Sequence, residues 1–238
     1  METMFTRHIY DDLVSVKVDQ VELQGSLVIP EGATGIVVLV NGGGNSCYHP
    51  CNIYLAKFLR KVGFATLIID LLTLEEEAID ARTKHLHFDI ELLASRLAGC
   101  TAWLAQYPHT HNLAVGYFGA NTGAGAALVA AATLAKAVQA VVSRGGRVDL
   151  AGSALSHVQA PTLMIVGGYD TPLILMNKFA TAQLNTQKQL KIIPQATHLF
   201  AEAGKLEAVA ELASDWFTRY LPKEKISGFH QSLLVISH

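Results

Sequence analysis

The chain has 238 residues, half of them hydrophobic and only 16% charged. That charge share is well under the roughly 25% of an ordinary soluble domain, so many elements must bury more than one side, as a parallel sheet covered by helices on both faces does. A formal net charge of −2 with acids and bases interspersed removes the electrostatic basis for a nucleic-acid partner.

The N-terminal METMFTRHIYDD lacks the basic-then-apolar layout of a signal peptide. Leu13 to Val18 and Val21 to Ile29 alternate as an antiparallel pair closed by Pro30-Glu31-Gly32. Short apolar runs then follow: Ile36 to Val40, Ala65 to Ile69, Leu113 to Phe118, Val138 to Val142, Thr162 to Val166 and Gln189 to Ile193. Helical spacing separates most of them, at Tyr54 to Val62, Phe88 to Tyr107, Thr122 to Ala135, Leu173 to Leu184 and Leu206 to Tyr220. The weakly charged stretch from Gly123 to Val142 is mostly alanine, carries Lys136 and follows a glycine turn. It reads as a buried helix leading into a strand, and no membrane association is expected. Strands alternating with helices predict βαβ units in a mostly parallel sheet, with the antiparallel pair at one edge. One domain is expected over residues 1–221, followed by a tail over 222–238. Cys47, Cys51 and Cys100 form no disulfide-framework pattern, which fits a reduced, cytoplasmic protein.

In such sheets function collects beyond the carboxyl ends of the strands. After Leu113 to Phe118 comes the turn Gly119-Ala120-Asn121-Thr122-Gly123, the pattern G-x-S-x-G of a nucleophile elbow with asparagine in the serine's place. Asp170 and His198 follow the next-to-last and last strands. Nucleophile, acid, histidine is the chain order of α/β-hydrolases, which favours a working pair over two unrelated polar loop residues. The segment CYHPC offers Cys47, His49 and Cys51, but its spacing is not that of a zinc ligand set; no metal or cofactor is expected. Glu75-Glu76-Glu77 reads as a solvated helix start favoured by the dipole, and His85 and His87 as surface residues. Arg144 is open to two readings, bidentate pairing with a substrate carboxylate or a loop-shaping contact.

On LVIPEGATGIVVLVNGGG, FATLIIDLLTLEEE, GYFGANTGAGAALVAAA, VVSRGGRVDL, APTLMIVGGYDTP and ATHLF, the sequence resembles the dienelactone hydrolase-like family of α/β-hydrolases over about residues 10 to 221. The resemblance implies hydrolysis of small esters or lactones. It puts Asn121 at the nucleophile position, Asp170 at the acid position and His198 at the base position. It also implies an oxyanion hole from the Thr122 N–H and one N–H of Gly42-Gly43-Gly44. Two departures stand out: Asn121 replaces serine or cysteine, and Asn41-Gly42 stands where relatives usually have His-Gly.

A carboxamide has no proton that His198 could remove to make an attacking alkoxide or thiolate. Several readings follow. In the first, Asn121 bonds His198 or a bound ligand in a pseudoenzyme that keeps a pocket for a small ester, lactone or carboxylate. In the second, the Asp170–His198 pair activates water, which a general base accelerates by only about 10²–10⁴-fold. Two lesser routes are conversion of Asn121 to aspartate and a displaced thiol at Cys47 or Cys51. The tail, with Phe229 and Leu233 to Ile236, offers an apolar patch for a protein partner.

Overall fold

The computed structural model describes residues 8–42 and 48–221. Gly43, Gly44 and Cys47 of the first loop, and the expected tail over 222–238, lie outside the described residues.

The chain opens with β1 (His8–Val18) and β2 (Val21–Pro30), an antiparallel ribbon in which Val14, Val16 and Val18 are buried between exposed neighbours. Its tight turn puts Asp19 in the left-handed region, a conformation that aspartate tolerates. The strands that follow are mostly apolar and buried because both of their faces are covered: β3 (Gly35–Asn41), β4 (Ala65–Ile69), β5 (Ala114–Ala120), β6 (Val138–Arg144) and β7 (Thr162–Gly167). The last strand, β8 (Lys188–Ile193), is more exposed, as suits an edge. Among the described residues the eight strands run in the order β1-β2-β4-β3-β5-β6-β7-β8, parallel from β4 onward, with β2 antiparallel to β4. The expected antiparallel edge is therefore present.

Helices α1 (Pro50–Lys61) and α6 (Lys205–Tyr220) cover one face, against Leu39, Phe118 and Val142. On the other face, α3 (Ile90–Gln106) and α4 (Thr122–Leu134) pack on Val38, Tyr117 and Val141, joined by Ala180 of α5 (Thr171–Gln183). Two segments escape the apolar periodicity. One is a ten-residue 3-10 stretch, Val148–His157, bent at Gly152; the other is α2 (Leu74–Thr83), whose one buried residue is Asp80. Among the described residues, no helix is long and apolar enough to cross a membrane.

Candidate active site

The elbow forms where β5 ends and α4 begins. Asn121 is held at φ 51°, ψ −130°, a region that side chains disfavour. Close packing explains the flanking glycines. A β-carbon on Gly119 would lie 2.6 Å from the Cα of Ala124, and one on Gly123 would lie 2.8 Å from the carbonyl carbon of Asn41. Helix α4 can therefore reach the sheet only with hydrogen at both positions. The Asn121 carbonyl accepts from Ala124 N (3.2 Å) and Arg147 N (2.9 Å), which anchors the turn to the loop after β6.

The expected partners of the Asn121 amide were His198 or a ligand. Instead its Nδ2 donates to Asn41 Oδ1 at 3.0 Å, and the same oxygen accepts from Gly42 N at 2.9 Å. The two residues that depart from the hydrolase pattern are thus bonded to each other across the end of the sheet. This arrangement uses the Gly42 N–H. Thr122 is the first residue of α4, so its N–H has no carbonyl to reach within the helix. Gly42 packs directly on it, since a β-carbon there would lie 2.8 Å from Thr122 N.

Asp170 and His198 stand on loops tied by Gly168 N to Ile193 O (2.8 Å) and Tyr169 N to Ala196 O (3.0 Å). Their side chains are not joined. Asp170 Oδ1 accepts from Leu173 N at 3.2 Å and so caps α5. His198 is exposed, and no hydrogen bond or ion pair links its ring to Asp170. Arg144 is 4% exposed and shares the face of Ala140 and Val142, toward α1 and α6. Burial pulls its guanidinium below the ordinary arginine range, and the neighbouring Cys51 partly offsets that. Its Nε and Nη1 are buried without partners among the described residues.

A cavity of about 750 Å³ opens on the other side of the elbow. Gly42, Asn121 and Thr122 line it on one side, α2 forms a wall through Glu77, Asp80 and Ala81, and Lys84, His87, Phe88 and Arg147 line it as well. Asp170, His198 and Arg144 do not line it. His87, expected at the surface, is half-buried and engaged: its side chain is 20% exposed and its Nδ1 lies 2.6 Å from Asp80 Oδ2. Asp80 Oδ1 accepts from Leu86 N (2.7 Å) and His87 N (3.3 Å). Desolvation pushes the Asp80 carboxyl up, but the bonds from His87 and the two backbone N–H groups outweigh it and hold it below its ordinary value.

The wall itself is anchored. Thr73 and Glu76 form a reciprocal capping box at the start of α2. Both Glu76 oxygens also accept from Arg96, a buried residue of α3 whose Nη1 donates to Leu71 O as well (2.7 Å). Glu76 is thus a structural ligand of Arg96, where the sequence suggested a solvated helix start.

A mostly parallel sheet with an antiparallel N-terminal pair and helices on both faces is the α/β-hydrolase fold. Within that class the chain belongs to the dienelactone hydrolase family, whose model matches residues 23–222. It resembles a crystal structure of dienelactone hydrolase from Anabaena variabilis at 63% identity and TM-score 0.87, covering 90% of this chain and 99% of that one. Est1E from Butyrivibrio proteoclasticus shares the fold at 13% identity and TM-score 0.72, over 87% of this chain and 98% of that one. A Mycobacterium tuberculosis protein that carries the name of a phosphoribosyl transferase is 54% identical over 89% of this chain; the chain spans 47% of that relative's length.

Proposed function

We propose that this chain is a dienelactone hydrolase-like protein that has lost covalent acyl transfer and keeps a pocket for a small ester, lactone or carboxylate. The observation that carries the reading is the Asn121–Asn41 hydrogen bond at the nucleophile position. An amide cannot be deprotonated to attack an acyl carbon, and here it is also occupied by the residue beside it. Loss of the nucleophile from a triad hydrolase costs on the order of 10⁶ in kcat, while binding and the oxyanion donors survive.

The pocket has the features such binding needs. The Thr122 N–H sits at the N-terminus of a 13-residue helix, where backbone donors and the dipole favour an acyl oxygen or a carboxylate. In this reading Asp170 and His198 keep the acid and base positions of an ancestral triad. Neither orients the other, so a water-activating role for that pair is the weaker reading.

The full chain is to be incubated with p-nitrophenyl acetate and with a fluorophosphonate, and its melting followed with small carboxylates added. No pre-steady-state burst, no phosphonate adduct by intact mass, and a rise in Tm with a carboxylate ligand are expected. A burst or an adduct overturns the loss of covalent chemistry; a Tm unmoved by any small ester, lactone or carboxylate overturns the retained pocket.

A further inference from the structure

The cavity holds a histidine–carboxylate pair that the family pattern does not require. We propose that His87, oriented by Asp80, is the general base of this cavity and hydrolyses small esters or lactones slowly by activating water. The inference rests on the pocket reading above and adds an activity to it.

Three observations carry it. Asp80 is 7% exposed, and three hydrogen bonds fix its carboxylate. A carboxylate held at Nδ1 makes that nitrogen the proton donor of the neutral ring, so Nε2 carries the lone pair. The His87 ring lies 4.3 Å from the Phe88 ring, and its Nε2 makes no hydrogen bond among the described residues. Finally, His87 lines the same cavity as Asn121 and Thr122. A substrate acyl group held at the Thr122 N–H would therefore share an open cavity with an oriented imidazole nitrogen that is unengaged among the described residues.

The reaction balances without a covalent intermediate. Nε2 takes a proton from water as the water oxygen bonds to the acyl carbon, and the negative charge gathers on the carbonyl oxygen beside Thr122 N–H. The acyl C–O bond then breaks, and the departing alkoxide takes the proton back from Nε2. The products are the acid and the alcohol, or the hydroxy acid from a lactone.

The test uses the full chain in excess over p-nitrophenyl acetate and over dihydrocoumarin. Hydrolysis above the buffer rate is expected, without burst or acyl adduct. His87→Gln keeps a polar side chain but cannot accept a proton, so it should lower the rate by about 10²-fold or more. A merely structural His87 would leave the His87→Gln rate at the wild-type level. Asp80→Asn should show a smaller loss, and the control His85→Ala none, since His85 is exposed and bonded to Thr83.

The charged groups around the cavity are Glu77 and Asp80 of α2, Lys84 at its end and Arg147 of the β6 loop. No rate above buffer, or full activity in His87→Gln, overturns the assignment and leaves the pocket reading standing. Loss of the rate in His198→Ala with none in His87→Gln moves the base to His198 and overturns it as well. A covalent acyl adduct overturns both proposals.

Discussion

Asp170 and His198 sit on two loops that the sheet brings together, whereas Asp80 and His87 sit seven residues apart in one connection. The first set depends on long-range folding for its geometry. Asp170 then turns its oxygen to the N-cap of α5, and His198 is left exposed. The second set closes locally: Lys84 takes the left-handed conformation at φ 58° and reverses the chain, so that Asp80 meets both the backbone and the ring of His87. Short closures cost little chain entropy. A carboxylate with three bonds inside one turn is thus cheaper to hold in place than one poised between loops. Chain order marks where a hydrolase keeps its acid and base; it does not say that the two touch.

The comparison is broken most severely by removing what holds α2. Arg96→Met leaves Glu76 without its bidentate cation and Leu71 O without a donor. Losing these charge-assisted bonds of a part-buried pair together with the bond to Leu71 O should cost about 3 kcal/mol, and a chain of this size should melt about 6–12 °C lower by calorimetry. Asp80→Ala comes next, at about 2 kcal/mol, because the Leu86 and His87 N–H groups and the ring all lose their acceptor. The pH dependence has a definite sign. The folded Asp80 carboxyl titrates below its ordinary 3.8, so its stabilisation is complete above that value and is lost as pH falls through the folded one. Glu76, held down by its bonds to Arg96, adds to the same acid limb. Chemical denaturation at a series of acid pH values should therefore show a shallower loss in Asp80→Asn than in wild type, without abolishing it.

The sheet was legible because its signals are redundant. Five runs buried on both faces, each bounded by a turn, leave few alternatives. The elbow was legible for a related reason: Gly119 and Gly123 are demanded by contact with Ala124 and Asn41, whatever side chain lies between them. The Asn41–Asn121 bond was not, because each asparagine reads alone as a departure and only the β3–β5 register, with Asn41 opposite Ala120, makes them neighbours. Nor was the Asp80–His87 pair. Helix α2 buries an aspartate where periodicity looks for an apolar residue, and nothing in the composition of LHF marks a ring aimed back at α2.

A double-mutant cycle sharpens the comparison further. Asp170→Ala should cost about 1 kcal/mol as the loss of an N-cap, and His198→Ala less than about 0.5 kcal/mol as a change at an exposed side chain. Their effects should add within about 0.5 kcal/mol. The corresponding cycle on Asp80 and His87 should show coupling of about 1 kcal/mol or more, since the hydrogen bond is direct. Equal coupling in both cycles would erase the distinction between the two sets.

A further small effect concerns the elbow that lies between them. At φ 51°, ψ −130° Asn121 occupies backbone space that costs of order 1–3 kcal/mol for a residue with a β-carbon. The bond from its amide to Asn41 returns about 1 kcal/mol. Asn121→Ala loses the bond and keeps the strain, so it should be about 1 kcal/mol less stable than wild type. Asn121→Gly loses the same bond but sheds the strain, and should fall within about 0.5 kcal/mol of wild type once the extra freedom of unfolded glycine is counted. The gap between the two variants, read by urea denaturation, isolates the backbone term because neither carries a side-chain amide. A clear gap means that the packing of α4 on the sheet enforces the turn whatever side chain stands there. Equal stabilities would mean that the Asn41–Asn121 bond, and not the scaffold, holds the turn in its shape.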